Sequence, residues 1–187
     1  MTTPLSSLPK DLPAPVDDGA AAHLFGARLP DVVLASTDGG NVALATLSGR
    51  RVLYVYPMTG RPGVELPPGW DAIPGARGCT PQSCAFRDHH DDLRSLGVGV
   101  FGVSVQSTAD QREARDRLHL PFELLSDTGR RLADTMRLPT FTVDGVTLYR
   151  RVTLVVQGGL VEKVFYPVFP PDRNAQDVLA WLRETVS

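Results

Sequence analysis

The stretch GARGCTPQSCAFRD, residues 75–88, holds both cysteines of this 187-residue chain. Cys79 and Cys84 have four residues between them, a spacing that matches neither a zinc knuckle nor a CxxC redox pair. Two cysteines are too few for a disulfide scaffold. Three roles therefore stay open for them: catalytic thiols, metal ligands or buried core residues.

The residues around the cysteines predict a helix that begins close to Cys79. Pro81 fits the first turn of a helix, and Gly97 follows the last apolar position. The free N–H groups at a helix N-terminus favour a thiolate there. In an ideal helix the Cα atoms of Cys79 and Cys84 would be about 8.6 Å apart, whereas a disulfide needs about 4.4 to 6.8 Å. A bond between the two thiols would require the start of the helix to unwind.

Outward from this helix, the hydrophobic pattern predicts an α/β fold. Apolar runs predict single strands at 51–57 and 98–105 and a short strand within 120–127. Two further segments, 32–44 and 148–168, are each predicted to form a hairpin of two strands. Amphipathic segments predict further helices at 108–120, 130–138 and 172–186, the first capped by Thr108 or Asp110. This order implies a central mixed sheet with helices on both faces, as in thioredoxin-like folds.

Two segments lie outside this regular pattern. Residues 1–26 contain four prolines and show no apolar periodicity, which predicts a loosely ordered N-terminal arm before a single domain at 27–187. Between Pro57 and Cys79 runs a long loop rich in proline and glycine. Loops of that length without regular structure are usually functional or disordered.

Composition narrows the classes of partner and location. The chain has 19 Lys and Arg against 21 Asp and Glu, a net charge of −2, and no basic cluster that would favour nucleic acid or an anionic membrane surface. No apolar run is long enough for a transmembrane helix, and the first residues lack the features of a signal peptide. We therefore expect a cytoplasmic protein that binds neither nucleic acid nor membrane.

Several motifs, in order, resemble those of the Q-type peroxiredoxins, also called bacterioferritin-comigratory-protein-like. The pattern of that family runs YP, TPGCTxExCxFRD, GVS, LPFxLLSD and RxTFVID. This chain has YP, GCTPQSCAFRD, GVSVQS, LPFELLSD and RVTLVV at 56–57, 78–88, 102–107, 120–127 and 151–156. The resemblance extends over residues 27–187 and implies the thioredoxin-like fold.

The resemblance also implies an activity and its residues. Cys79 would be the peroxidatic cysteine, Cys84 the resolving cysteine and Arg151 a buried arginine beside the thiolate. We expect a substrate pocket lined by Pro57, Thr59, Gly78 and Thr80. Hydrogen peroxide and organic hydroperoxides would be reduced through a Cys79 sulfenic acid and a Cys79–Cys84 disulfide, with thioredoxin or a similar dithiol as reductant. Neither metal nor other cofactor is implied, and the protein is expected to be a monomer or weak homodimer.

The chain departs from the family pattern in two ways. The threonine three residues before the peroxidatic cysteine is Ala76 here, and the loop between Pro57 and Cys79 is longer. We hypothesise that Thr59 or Thr80 supplies the missing hydroxyl, or that the charge of Arg77 offsets its loss. The longer loop could cover the pocket, change which peroxides fit or block a dimer surface.

Other interpretations stay open at this stage. Cys79, Cys84, His89 and His90 could bind zinc, although this spacing is at the margin for zinc ligands. A general thiol–disulfide oxidoreductase of the same fold is a second alternative, and a redox sensor or chaperone without multiple turnover is a third. Arg150 should face the opposite side from Arg151 by strand alternation, and should be exposed.

Overall fold

A computed structural model of the chain describes residues 4–185, and the elements named here are those within that range. The strands are β1 (Val33–Ser36), β2 (Asn41–Ala43), β3 (Arg50–Val55), β4 (Val98–Ser104), β5 (Glu123–Ser126), β6 (Thr140–Val143), β7 (Val146–Tyr149), β8 (Val152–Gln157) and β9 (Leu160–Phe165). The α-helices are α1 (Cys79–Asp88), α2 (His90–Ser95), α3 (Thr108–Leu118), α4 (Arg131–Met136) and α5 (Asn174–Thr185).

Seven of these strands form one mixed sheet in the order β2-β1-β5-β4-β3-β8-β9. The three central strands, β3, β4 and β5, are parallel to one another. The flanking strands β1 and β8 are antiparallel to their central neighbours, and each is paired with an antiparallel strand outside it. The prediction of a central mixed sheet is confirmed.

Helices cover both faces of this sheet, as predicted. Alternate residues of β3 belong to two separate cores: Val52 and Tyr54 to one, Leu53 and Val55 to the other. The first core is closed by apolar residues of α1, α2 and α5, and the second by apolar residues of α4. The long apolar runs of β3 and β8 are explained by this burial on both faces.

Two predictions about the helices need correction. The helix predicted from Cys79 to Gly97 is divided into α1 and α2 at His89, and the acidic residues Asp91 and Asp92 occupy the first turn of α2. Carboxylates stabilise the N-terminus of a helix, so these two residues favour the start of a separate helix at His90. The N-cap of α3 is Ser107 rather than the predicted Thr108 or Asp110, and its hydroxyl accepts from the N–H of Asp110 at 3.1 Å.

The hairpin formed by β6 and β7 was not predicted from the sequence. These strands make a separate two-stranded sheet joined by Asp144 and Gly145, a dipeptide typical of tight hairpin turns. The strand predicted from Leu148 onward therefore ends at Tyr149, and the next begins at Val152. The hairpin supports the long loop, because Trp70 packs against Phe141 with the ring centroids 5.9 Å apart.

The N-terminal segment was predicted to be loosely ordered, but its described residues lie against the domain. Leu24 is fully buried and belongs to one of the two main cores. Leu5 and Leu8 approach Gly60 and Gly78 of the long loop. Pro4 O accepts a hydrogen bond from Arg77 Nη2 at 3.3 Å. The arm thus adds a layer over the loop that precedes α1.

Candidate active site

The thiol of Cys79 lies at the first residue of α1, as predicted. Gly78, immediately before it, has a φ of 111°. A Cβ added to Gly78 would lie 2.7 Å from Pro171 Cγ and 2.8 Å from Leu8 Cδ2. Both the backbone conformation and the available space therefore require glycine at this position.

The first turn of α1 supplies free N–H groups at the thiol. The first helical hydrogen bond runs from Gln82 N to Gly78 O at 3.0 Å. Pro81 has no N–H, so the donors that lack a partner inside the helix are those of Cys79 and Thr80. Aligned peptide dipoles add a partial positive charge at this end of the helix. The arrangement is suited to an anionic sulfur.

Arg151 places a full positive charge beside the same sulfur. It is 3% exposed, and its Nη2 lies 3.3 Å from Cys79 Sγ. The same nitrogen lies within hydrogen-bond distance of three loop carbonyls, those of Gly75, Ala76 and Arg77. Because a guanidinium has only donors and stays charged, it binds this loop and holds its charge at the start of α1.

Arg150, the neighbour of Arg151, lies on the other side of the chain. It is exposed, its Nε donates to Thr140 O at 3.1 Å, and it lies 3.7 Å from Asp18. The prediction that the two arginines face opposite sides is confirmed.

Gln82 contacts Arg151 and was not predicted from the sequence as a site residue. Its Oε1 accepts a hydrogen bond from Arg151 Nη1, and its Nε2 donates to Asn174 Oδ1 at 2.9 Å. Thr153 Oγ1 donates to the same Oδ1 at 2.7 Å. The signal was present in the motif, since CTPQSC has Gln where the pattern CTxExC has Glu.

The free space beside the Cys79 thiol is about 10 Å³, room for about one water molecule. The arm, the long loop and the start of α1 all contribute to its lining, through Leu5, Met58, Gly60, Leu66, Trp70, Arg77, Gly78, Cys79 and Thr80. The residues from the arm and the loop could not be found by periodicity, because these segments have none.

Of the four residues predicted to line a substrate pocket, Gly78 and Thr80 line this space, whereas Pro57 and Thr59 are not among its lining residues. The N–H and the hydroxyl of Thr59 both lie within hydrogen-bond distance of Gln106 Oε1, at 2.9 and 3.2 Å. Thr59 lines a neighbouring cavity instead. Thr80 is therefore the better placed of the two candidate hydroxyls.

That neighbouring cavity has a volume of about 450 Å³ and shares Met58, Gly60 and Leu66 with the space beside the thiol. Its further apolar lining consists of Val64, Val105, Val146 and Leu148. Val64 and Val146 are 60% and 54% exposed, so the cavity opens to the surface. Polar residues lie at one end, where Arg61 pairs with Asp110 at 3.3 Å.

Cys84 lies on α1, as predicted, and both cysteines carry free thiols. Its side chain is half-buried beside the core that contains Phe86. Burial raises the pKa of the Cys84 thiol, and the nearby Arg87 guanidinium opposes this effect. In the folded helix Cys84 is therefore favoured in its protonated form at neutral pH.

Two buried tyrosines lie near the thiols, Tyr54 in β3 and Tyr56 just after its last residue. Tyr54 donates to Ser83 Oγ at 3.1 Å and stacks on Phe86 with the ring centroids 4.6 Å apart. Burial raises the pKa of both Tyr54 and Tyr56. Both hydroxyls therefore stay neutral across the ordinary pH range.

The zinc alternative requires a cluster of ligands. Within residues 4–185 no three His, Cys, Asp or Glu side chains come together to hold a metal ion. His89 Nδ1 lies 3.7 Å from Asp92, and the His90 ring lies against Phe122 with the centroids 5.9 Å apart. The histidines thus contact helix and core residues.

Comparison with known proteins identifies the family. Residues 25–179, most of the chain, match the Redoxin family. The chain belongs to that family. The chloroplastic peroxiredoxin Q of Gentiana triflora is 28% identical over 185 residues, covering 96% of this chain and 78% of the relative. Chloroplastic peroxiredoxin Q of Oryza sativa subsp. japonica is 29% identical over 159 residues, covering 84% of this chain and 66% of the relative.

Solved structures agree in fold. The Mycobacterium tuberculosis peroxidoxin BcpB superposes with a TM-score of 0.69 at 24% identity, covering 86% of this chain and 96% of that one. A cysteine-to-serine mutant of Xylella fastidiosa PrxQ gives 0.70 at 19% identity, covering 87% and 97%. The Xanthomonas campestris bacterioferritin comigratory protein, studied for alkyl peroxide reduction, gives 0.65 at 21% identity, covering 95% and 99%.

Within the Redoxin family this chain is a Q-type peroxiredoxin and hence a thiol peroxidase. The predicted family, fold and class of enzyme are confirmed. Among residues 4–185 of the peroxiredoxin, none of the helices has the length and apolar character needed to cross a membrane.

Proposed function

We propose that this peroxiredoxin reduces hydrogen peroxide and small organic hydroperoxides with Cys79 as the attacking thiol. The observation that carries the proposal is the placement of Arg151 Nη2 3.3 Å from Cys79 Sγ at the N-terminus of a helix. A fixed cation and free N–H groups favour the thiolate, which is the nucleophilic form of cysteine.

The chemical step follows from this geometry. The Cys79 thiolate attacks one peroxide oxygen and forms an S–O bond while the O–O bond breaks. The other oxygen leaves with the electron pair of that bond, takes up a proton and departs as water or an alcohol. Arg151 and the N–H groups of the first turn stabilise the charge that moves between sulfur and oxygen. Cys79 remains as a sulfenic acid.

Cys84 then resolves the sulfenic acid. Its thiol condenses with Cys79 S–OH, a disulfide forms and water leaves. Both cysteines lie in α1, a helix that is continuous from Cys79 to Asp88. Because the ideal helical separation exceeds the disulfide distance, the first turns must unwind before the bond can form. Unwinding also exposes Cys84, which relieves the burial that raises its pKa.

A dithiol carrier such as thioredoxin would reduce the disulfide through a mixed disulfide. The unwound segment offers the sulfur that the carrier attacks. We retain a monomer or weak homodimer and a cytoplasmic location as predictions, and the named plant relatives are chloroplastic.

The long loop and the arm are proposed to form a cover over the thiol. Their residues Leu5, Leu66 and Trp70 line the space beside the thiol, which has room for about one water molecule and less than a peroxide with two oxygen atoms needs. Peroxide entry therefore requires the cover to move. Arg77 links its two parts, since its guanidinium donates to Asp71 in the loop at 3.1 Å and to Pro4 O in the arm.

The proposed reduction of organic hydroperoxides is supported by the cavity of about 450 Å³, a volume in the range of small-molecule binding sites.

We predict that Val146→Lys lowers kcat/KM for cumene hydroperoxide about tenfold but leaves kcat/KM for hydrogen peroxide unchanged, because a charge at the rim of the cavity opposes burial of an aromatic tail. Steady-state assays with both peroxides test this. Val16→Lys, an exposed valine outside the cavity lining, is the control. Equal loss for both peroxides would contradict the assignment.

The hydroxyl that replaces the family threonine is assigned to Thr80. Thr80→Val is expected to lower the second-order rate constant with hydrogen peroxide about tenfold, because a hydrogen bond to the reacting oxygens is lost. Thr59→Val is the matched control, since Thr59 is also buried but faces Gln106. If Thr80→Val reacts as fast as the unmodified enzyme, the assignment to Thr80 is wrong, and if Thr59→Val is also unchanged, neither hydroxyl replaces the missing one.

The proposed function is tested by peroxide consumption with excess peroxide, thioredoxin, thioredoxin reductase and NADPH. Many turnovers per enzyme are expected. A single oxidation followed by altered binding to other proteins would instead support a redox sensor or chaperone.

A further inference from the structure

Arg151 is a buried cation without a carboxylate partner among residues 4–185. Its hydrogen-bond acceptors are three backbone carbonyls, the amide oxygen of Gln82 and the sulfur of Cys79. A buried charge is costly unless an opposite charge or several dipoles compensate it. Of these five acceptors, only Cys79 can become an anion.

The orientation of Gln82 follows from the chemistry of its neighbours. Arg151 has only donors, so the Gln82 amide must turn its oxygen toward Arg151 and its nitrogen away. That nitrogen donates to Asn174 Oδ1 at 2.9 Å, which fixes the amide of Asn174 in turn. Thr153 then donates its hydroxyl to the same oxygen at 2.7 Å.

All members of this network are at most 3% exposed. The network therefore holds the guanidinium in one place through a neutral contact. A carboxylate in the place of Gln82 would hold the guanidinium equally well but would neutralise it.

We propose that Gln82 is a positioning residue that holds Arg151 against Cys79 while leaving its positive charge to the thiolate. The inference rests on the proposed role of Cys79 as the attacking thiol. In the motif pattern quoted above, the chain lacks both the threonine, replaced by Ala76, and the glutamate, replaced by Gln82. The alanine at position 76 removes a hydrogen-bond donor to the sulfur. The glutamine at position 82 leaves the positive charge of Arg151 unneutralised, which compensates for the lost donor in stabilising the thiolate.

Few other charges act on this sulfur. Tyr54 in β3 and Tyr56 just after it stay neutral because burial raises their pKa, and Cys84 on α1 is favoured as a thiol. Arg77, from the preceding loop, lines the same space and is paired with Asp71 at 3.1 Å. Arg151 is therefore the cation whose strength a change at Gln82 would alter.

The test compares the pH dependence of Cys79 alkylation by iodoacetamide in the full-length protein, with mass-spectrometric fragmentation to separate Cys79 from Cys84. Gln82→Glu is expected to raise the midpoint of the Cys79 profile by about one pH unit or more. Asn174→Asp keeps an oxygen that accepts the hydrogen bonds from Gln82 and Thr153. It adds a negative charge farther from the sulfur, so the midpoint of the Cys79 profile is expected to rise less than in Gln82→Glu. Gln82→Met removes the hydrogen bond without adding charge, and its midpoint should move less than that of Gln82→Glu.

Alkylation needs no peroxide, so its outcome is independent of whether the protein turns over peroxide. Unchanged or lowered midpoints in Gln82→Glu and Asn174→Asp would overturn the inference, as would a shift in Gln82→Met as large as in Gln82→Glu. Compensation predicts that Ala76→Thr restores part of the peroxide rate lost in Gln82→Glu. Asn174→Asp provides the test if Gln82→Glu does not fold.

Discussion

Cys79→Ser is expected to lower the rate of reaction with hydrogen peroxide at least about a thousandfold, because a serine hydroxyl stays protonated where a thiol ionises. The Cys79 side chain is buried, but serine has nearly the same shape as cysteine, so the fold should persist. Stopped-flow mixing with peroxide, followed by the fluorescence of Trp70 in the lining of the thiol space, measures the rate. A rate equal to that of the unmodified enzyme would contradict the central role of Cys79.

Cys84→Ser gives the matched comparison. The first oxidation should still occur, but no disulfide can form, so a Cys79 sulfenic acid accumulates and turnover stalls. Dimedone labelling detected by mass spectrometry identifies the trapped species. In the enzyme with both cysteines, peroxide should lower the helical signal in circular dichroism, because the disulfide requires the first turns of α1 to unwind. Cys84→Ser should keep the full helical signal after oxidation.

Arg151→Met is expected to lower the second-order rate constant about 100- to 1000-fold, the usual effect of removing a donor that stabilises charge in a transition state. The same change leaves buried carbonyls of the loop before α1, and the Gln82 oxygen, without their donor. Each such group costs about 1 to 3 kcal/mol, so the melting temperature should also fall. Stopped-flow kinetics and thermal unfolding measure the two effects.

The structure supplies a control for Arg151 in the adjacent residue. Arg150→Met removes the same chemical group from an exposed side chain, so rate and melting temperature should both stay close to those of the unmodified enzyme. Arg151→Lys separates charge from geometry. Lysine keeps the cation but lacks the planar fork, and its rate is expected to lie between those of Arg151→Met and the unmodified enzyme. Equal effects at positions 150 and 151 would contradict the assignment.

Much of the fold could be predicted from the sequence because its strands are buried on both faces. The continuous apolar runs of β3 and β8 have few alternatives, and the order of strands and helices predicts a mixed sheet. The hairpin of β6 and β7 was missed although Asp144-Gly145 marks its turn. Its strands are mostly exposed or half-buried, so the apolar signal is weak.

The site was predictable where the chemistry lies close together in sequence. Cys79, Gly78, Thr80 and Cys84 fall within seven consecutive residues at the start of α1. Arg151 was found only through the resemblance to the family. Leu5, Met58 and Trp70 were not found, because they enter the site from proline- and glycine-rich segments in which side-chain direction follows no period.

The sequence by itself determined the family, the layered fold and the helix that carries both thiols. These depend on local periods and on residues close together in the chain. Only the tertiary structure decided that Leu5 of the arm and Thr80 line the space beside the thiol, that Thr59 turns to Gln106, and that Gln82 contacts Arg151. Such contacts join positions far apart in sequence, and only the packed chain brings their side chains together.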